Sequence, residues 1–210
     1  MPIVDPKIEA YTRSLLDGYD EPVLLAMEAE GAERHFPIVG RHVGVTLGLL
    51  ARSIGAKRVM ELGSGFGFSA YWFGRAVGPD GEVHCTEGDP ANAATAERYL
   101  TDARLWDRVT YHVGDAVEQM AGIPGEFDVV FCDIDKPGYP DAWRAAAERI
   151  RPGGLYLCDN TLGTSNDTIL DDNDRTRAIR EHNRLIADDP RYESTLLPMR
   201  QGVLVALRLP

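Results

Sequence analysis

The 210-residue sequence predicts an α/β protein built on a doubly wound, mostly parallel β-sheet. From residue 58 onward, short apolar runs alternate with segments of helical periodicity. The run Phe127–Cys132 is almost continuously apolar, which is typical of a strand buried on both faces. The chain closes with two strand-like segments joined by Pro198–Gln201, which predicts a hairpin that adds an antiparallel strand.

The first quarter of the chain has a helical pattern. Apolar residues within 1–35 recur at helical spacing in two segments, which Asp17-Gly18 separates. A third helix is predicted from about Gly40 to Ile54, where Gly55 ends it. We therefore expect N-terminal helices over 1–54 and a sheet-based core over 55–210, which together form a single domain.

The core is predicted as a regular alternation of strands and helices. The strands are predicted at 58–62, 83–86, 109–113, 127–132, 154–158, 192–197 and 202–209. The helices between them are predicted at 69–77, 90–103, 139–150 and 174–188. No internal repeat or linker interrupts this alternation.

The net charge and the cysteine content indicate which kinds of binding partner and which cellular compartment to expect. The formal net charge of −11 repels phosphate backbones and makes nucleic acid an improbable partner. No apolar run reaches the length of a membrane span, and residues 1–10 lack the apolar stretch of a secretory signal. Cys85, Cys132 and Cys158 form no CxxC pair, so we expect small buried side chains in a reducing cytoplasm.

A glycine cluster follows the first predicted strand and opens the next helix. Such a loop lets the backbone approach a nucleotide-like ligand closely. A dinucleotide fingerprint that starts at Gly63 and Gly65 requires a third glycine where the chain has Phe68. Glu61 instead suits the positively charged amino group of a ligand such as S-adenosylmethionine, and Ser69 can donate to its carboxylate.

Acidic residues end three further strands at the predicted ligand-binding edge. Glu87 ends the second strand, where a carboxylate can accept both ribose hydroxyls. Asp133 and Asp159 follow the fourth and fifth strands, which are neighbours about 4.8 Å apart. Two carboxylates that close repel unless one of them holds a proton or a cation lies between them.

Asn160 adds a neutral oxygen beside these two carboxylates. Three oxygen ligands without histidine suit magnesium, calcium or manganese rather than zinc, and leave positions for water or substrate hydroxyls. Asp and Asn are also common turn formers at strand ends, and Asp135 in particular suits a turn or a cap. Lys136 is either a solvated surface charge or, if burial beside a cation lowers its pKa, a general base.

Several motifs in order resemble one family, the cation-dependent class I O-methyltransferases. This group includes the caffeoyl-CoA and catechol O-methyltransferases and their bacterial relatives, and the likeness runs from about Phe36 to the C-terminus. It rests on Glu61–Gly63, Phe131–Lys136, Arg151–Gly154, Asp159–Asn160, Thr176–Arg180, Asp189–Arg191 and Leu197–Pro198.

The resemblance implies a Rossmann-like sheet of seven strands, the last antiparallel. It also implies small hydroxylated substrates and a homodimer. It implies that Asp133, Asp159 and Asn160 hold the metal and that Lys136 is the general base, with Asp133 also taking part in catalysis. The cofactor contacts it implies are Val39, Glu61, Gly63, Ser64, Gly65, Ser69, Glu87, Asp115, Ala116 and Asp133.

The expected reaction is displacement, in which the oxygen of a catechol-like or vicinal-diol substrate attacks the methyl group of S-adenosylmethionine. The family often has an aromatic residue and glycines where this chain has Thr161–Asn166, and the catechol enzymes have a lysine near the position of Val43. Three alternatives stay open: methylation of a hydroxylated RNA base, a nucleotide-dependent dehydrogenase, and a non-catalytic binding domain.

Overall fold

A computed structural model describes residues 4–164 and 166–210. Its centre is a seven-stranded sheet in the order β3-β2-β1-β4-β5-β7-β6. The strands are β1 (Arg58–Leu62), β2 (Glu82–Glu87), β3 (Val109–Val113), β4 (Phe127–Cys132), β5 (Ile150–Cys158), β6 (Tyr192–Leu197) and β7 (Val203–Arg208). The first five run parallel, and β7 is antiparallel to both β5 and β6. The predicted seven-stranded, doubly wound sheet is confirmed.

Helices cover both faces of the sheet. The α-helices of the described residues are α1 (Pro6–Ser14), α2 (Pro22–Glu33), α3 (Gly40–Ser53), α4 (Phe68–Val77), α5 (Pro90–Asp102), α6 (Ala116–Gly122), α7 (Tyr139–Ala146) and α8 (Asp174–Ala187). None of these helices is long and apolar enough to cross a membrane.

Three elements of the core differ from the sequence prediction by more than two residues. Helix α6 was not predicted, because seven residues are too few to display a helical period; the side chain of Asp115 begins it by accepting hydrogen bonds from the backbone N–H groups of Val117 and Glu118. Helix α7 ends at Ala146 instead of residue 150, and β5 begins at Ile150 instead of residue 154, because Ile150 already pairs with Phe127 of β4.

The core lies on both faces of the sheet because successive strand residues point to opposite sides. Val59 packs in the cluster beneath α3, α4 and α5, whereas Met60 packs in the cluster beneath α6, α7 and α8. The three cysteines are buried and free, as the sequence predicts.

Strand order reverses between β1 and β4, since the chain continues outward to β2 and β3 on one side and to β5 on the other. At such a point the loops that follow the two central strands diverge and leave a crevice at their carboxyl ends. The topology therefore predicts where a ligand binds.

Candidate functional site

A cavity of about 1140 Å³ occupies this crevice. The loops that follow β1 to β5 line it, together with residues 36–39 ahead of α3 and Arg200-Gln201 of the β6–β7 turn. Single-ligand pockets typically measure about 300–1000 Å³. The cavity is therefore large enough for a nucleoside-sized cofactor and a second small molecule.

The glycine loop after β1 forms the cavity floor. Gly63 has φ +83°, and a Cβ atom at this position would lie 2.6 Å from the backbone oxygen of Asp133. Its N–H donates to Thr86 Oγ1 (3.1 Å), and the N–H of Ser64 donates to the backbone oxygen of Thr86 (2.8 Å). The loop thus needs glycine at position 63 and is fixed to β2.

Glu61 lies fully buried under this loop and does not itself line the cavity. Its Oε2 accepts from Cys85 Sγ (3.4 Å), while its Oε1 has no hydrogen-bond partner in the described chain. Burial raises the pKa of Glu61 to about 7, against the opposing influence of the nearby Ser69 and Ser64 hydroxyls. A buried carboxyl with an unused oxygen suits a cationic group nearby, and direct contact of Glu61 with the cofactor stays a prediction.

The remaining cofactor candidates lie around the same cavity. Glu87 Oε1 accepts hydrogen bonds from the N–H of Asp89 (2.9 Å) and from Asn92 Nδ2 (3.2 Å) at the end of β2. Asp115 is engaged in capping α6. The predicted residues that line the cavity are Val39, Gly63, Ser64, Gly65, Ser69, Glu87, Asp115, Ala116, Asp133, Lys136, Asp159 and Asn160.

The two predicted metal-binding carboxylates leave adjacent strands side by side. Cys132 of β4 pairs with Cys158 of β5, and the N–H of Asp159 donates to the backbone oxygen of Cys132 (3.2 Å). Asp159 is only 2% exposed, and its Oδ1 has no hydrogen-bond partner among the described residues. Burial, helped by the negative charge of Asp133, raises the pKa of Asp159 to about 7.

Asn160 completes an oxygen-rich cluster at this edge. Its backbone takes φ +55°, a left-handed conformation that asparagine tolerates better than most residues. Its Nδ2 donates to Asp159 Oδ2 (3.2 Å). Residues 4–164 and 166–210 contain no group of three or more His, Cys, Asp or Glu placed to hold a metal ion. The set here is two carboxylates and one amide, and the unpartnered buried oxygen of Asp159 fits a hard divalent cation.

Lys136 is held against one of these carboxylates. Its Nζ donates to Asp133 Oδ1 (3.1 Å), to the backbone oxygen of Ile134 (3.1 Å) and to Tyr139 Oη (2.8 Å). The sequence interpretation that its pKa falls applies to a lysine beside a bound cation and stays a prediction. Burial does lower the pKa of Lys136, but the adjacent negative charge of Asp133 outweighs burial and raises it above its usual value.

Tyr139 is a site residue that the sequence analysis missed. Its side chain is fully buried, and its hydroxyl donates to the backbone oxygen of Asp159 (2.8 Å) while it accepts from Lys136 Nζ. Tyr139 therefore joins the segments that follow β4 and β5. The three-residue spacing from Lys136, at the start of a predicted helix, was the available signal.

Comparisons with known proteins agree with this geometry. The sequence model of a family described as O-methyltransferase matches residues 18–209. Catechol O-methyltransferase from Niastella koreensis is 32% identical over 201 residues, which cover 91% of this chain and 90% of that relative.

Solved structures extend the agreement to the fold. A methyltransferase from Geobacter sulfurreducens is 33% identical with a TM-score of 0.87, covering 100% of this chain and 99% of that one. An O-methyltransferase from Streptomyces achromogenes, solved in complex with S-adenosylmethionine, is 26% identical with a TM-score of 0.85, covering 97% of this chain and 96% of that one.

These matches favour methyl transfer over the dehydrogenase and the non-catalytic domain that the sequence left open. They extend over nearly the whole chain and include both the glycine loop and the acidic edge of the sheet. The chain therefore belongs to the O-methyltransferase family, and it is an S-adenosylmethionine-dependent O-methyltransferase.

Proposed function

We propose that this enzyme methylates a hydroxyl group of a small catechol-like or vicinal-diol substrate with the help of a divalent cation. The observation that carries the proposal is the buried, unpartnered Oδ1 of Asp159, which lies beside Asp133 on the cavity that the glycine loop also lines. The name of the Niastella koreensis relative, a catechol O-methyltransferase, supports the substrate class.

In this proposal the cofactor occupies the glycine-loop half of the cavity. Glu61 offsets the charge of its amino group, Ser64, Gly65 and Ser69 surround its amino-acid end, and Glu87 accepts from its ribose. Asp115 and Ala116 would contact its adenine, Val39 would supply an apolar contact, and Asp133 would contact both the cofactor and the cation. S-adenosylmethionine supplies an electrophilic methyl group on a sulfonium.

Asp133, Asp159 and Asn160 would hold the cation, with magnesium as the first choice and calcium or manganese as alternatives. A cation held there would lower the pKa of a phenolic hydroxyl from its usual value of about 10 and would position the oxygen for attack. The two carboxylates would also offset the charge of that cation, which would explain why the half-buried Asp133 and the buried Asp159 are tolerated at adjacent strand ends.

Lys136 is the proposed acceptor of the substrate proton, and Tyr139 holds its amine against Asp133. All three hydrogen-bond partners of Lys136 Nζ are acceptors, so the amine is held as an ammonium. The base role therefore requires that Lys136 releases a proton before the hydroxyl reacts.

The test compares Asp159→Ala with Asp141→Ala, a matched change of an exposed carboxylate on α7. Methyl transfer to catechol is measured with magnesium and with a chelator, and S-adenosylmethionine binding is measured by calorimetry. We expect Asp159→Ala to lose at least about a hundredfold in turnover, and Asp141→Ala to match the wild type. Full wild-type turnover in chelator would refute the metal role.

A cytoplasmic location and a homodimer complete the proposal. Three buried free thiols suit a reducing compartment, and α1 and the residue that follows it expose the apolar side chains of Ile8, Tyr11 and Leu15. Light scattering tests the dimer. The net charge of −11 argues against methylation of a hydroxylated RNA base, and only salt-dependent binding of RNA would favour that second candidate.

A further inference from the structure

Within the part of the chain that the structure describes, two of the three cationic side chains on the cavity wall form an ion pair with an acid, and the third does not. The acids are Glu87, Asp115, Asp133, Asp135 and Asp159, and the cations are Lys136, Arg175 and Arg200. Lys136 pairs with Asp133 (3.1 Å), and Arg175 Nη2 pairs with Asp167 Oδ2 (2.7 Å). Arg200 has no acidic partner within ion-pair distance among residues 4–164 and 166–210.

The guanidinium of Arg200 is fixed along one edge only. Nη1 donates to the backbone oxygens of Ile38 (3.0 Å) and Val39, which are neutral partners. Within the described chain, Nε and Nη2 have no hydrogen-bond partner. Gly40 has φ +74°, a conformation that favours glycine, and a Cβ atom there would lie 2.6 Å from Nη1, so a side chain at position 40 would displace the end of Arg200. One edge of the guanidinium stays available to a ligand.

Arg200 lies on the same side of the cavity as the acidic pair. The turn that carries it is attached to the segment after Asn160, because the N–H groups of Thr161 and Leu162 donate to the backbone oxygens of Gly202 (3.1 Å) and Gln201 (2.8 Å). Its positive charge also acts to lower the pKa of Asp159. A substrate that places its hydroxyls at the acidic pair thus finds Arg200 on the adjoining wall.

We propose that Arg200 binds a carboxylate of the substrate, so that the preferred acceptors are vicinal-dihydroxy aromatic acids and not neutral catechols. This inference rests on the proposed function. An unpaired guanidinium edge with two donors matches the geometry of a carboxylate. In a chain of net charge −11 whose cavity wall carries five acids, an anionic substrate needs such a cation to enter.

The test measures kcat/KM for protocatechuate and caffeate against their primary amides, with S-adenosylmethionine and magnesium. The ratio of acid to amide is the readout, because a general loss of activity, for example from movement of the Ile38–Val39 loop, affects both compounds alike. For the wild type we expect a ratio above one for at least one of the two acids. We expect Arg200→Gln to lower that ratio by about tenfold, the size of one charge-assisted contact.

Two further variants separate charge from packing. Arg200→Lys keeps the charge and should retain part of the preference for the acid. Arg175→Gln removes the cation that Asp167 already neutralises and should leave the ratio unchanged. Calorimetric binding of S-adenosylmethionine reports folding of every variant.

Three results would overturn the inference. A wild-type ratio at or below one for both acids excludes recognition of the carboxylate. Equal acid-to-amide ratios in the wild type and Arg200→Gln would show that Arg200 only packs against the loop. A ratio that falls only in Arg175→Gln would show that Arg175 binds the carboxylate instead. If no dihydroxy compound, charged or neutral, is methylated, the proposed function itself fails; methylation of catechol and amides without preference for the acids refutes the inference alone.

Discussion

Replacing Glu61 with glutamine should change how the stability of the ligand-free enzyme depends on pH. Glu61 is fully buried, and burial raises its pKa from 4.5 to about 7. The folded state therefore prefers the neutral carboxyl. The resulting stabilisation is fully present below pH 4.5 and is lost as the pH rises through 7.

The magnitude follows from the two pKa values. At 1.36 kcal/mol per pKa unit, the rise from 4.5 to about 7 corresponds to about 3 kcal/mol of unfolding free energy. Most of this loss, about 2.5 kcal/mol, falls between pH 5 and pH 8. Glutamine keeps the shape but cannot ionise, so Glu61→Gln should lose about that much less over the same range.

The assay is urea unfolding at several pH values between 5 and 8, without S-adenosylmethionine and with a chelator. Asp159, whose pKa is also about 7, adds a slope of the same sign to both proteins, so their difference isolates Glu61. Glu97→Gln, an exposed change on α5, is the matched control and should follow the wild type. Parallel curves for wild type and Glu61→Gln, or a wild type that gains stability relative to the variant toward pH 8, would refute the reasoning.

The other predictions concern the loop, the lysine and the cation. Gly63→Ala should lose about 2 kcal/mol or more of stability and weaken S-adenosylmethionine binding, because its Cβ would lie 2.6 Å from the backbone oxygen of Asp133. Gly88→Ala is the control, since a Cβ atom there would meet nothing within 4 Å. Equal unfolding midpoints for the two variants would contradict the prediction. Tyr139→Phe removes a 2.8 Å contact to Lys136 and should lower kcat roughly tenfold with an unchanged dissociation constant for S-adenosylmethionine; wild-type kcat would exclude a positioning role. Turnover lost in chelator should return with magnesium, and restoration by zinc alone would contradict the oxygen ligand set.

The sequence by itself determined the elements and the edge of the sheet at which the site lies. The predicted bounds of β1, β3, β4 and β6 match the structure. β3 and β4 are rich in β-branched and aromatic residues, which suit a pleated, partly buried surface. The acids that follow β4 and β5 meet at one edge, because parallel strands present their carboxyl ends together. The glycine loop was equally local, since Gly63 is required by backbone conformation.

Only the tertiary structure determined the pKa shifts of the site residues and the contacts between residues far apart in the sequence. The direction of the Lys136 pKa shift depends on how close Asp133 lies and not on burial alone, because that neighbouring carboxylate raises the pKa. Arg200 reaches the backbone of Val39 across 161 residues of chain, a distance over which no local pattern carries information. Electrostatic effects depend on separations of a few ångströms, and only the folded chain fixes those separations.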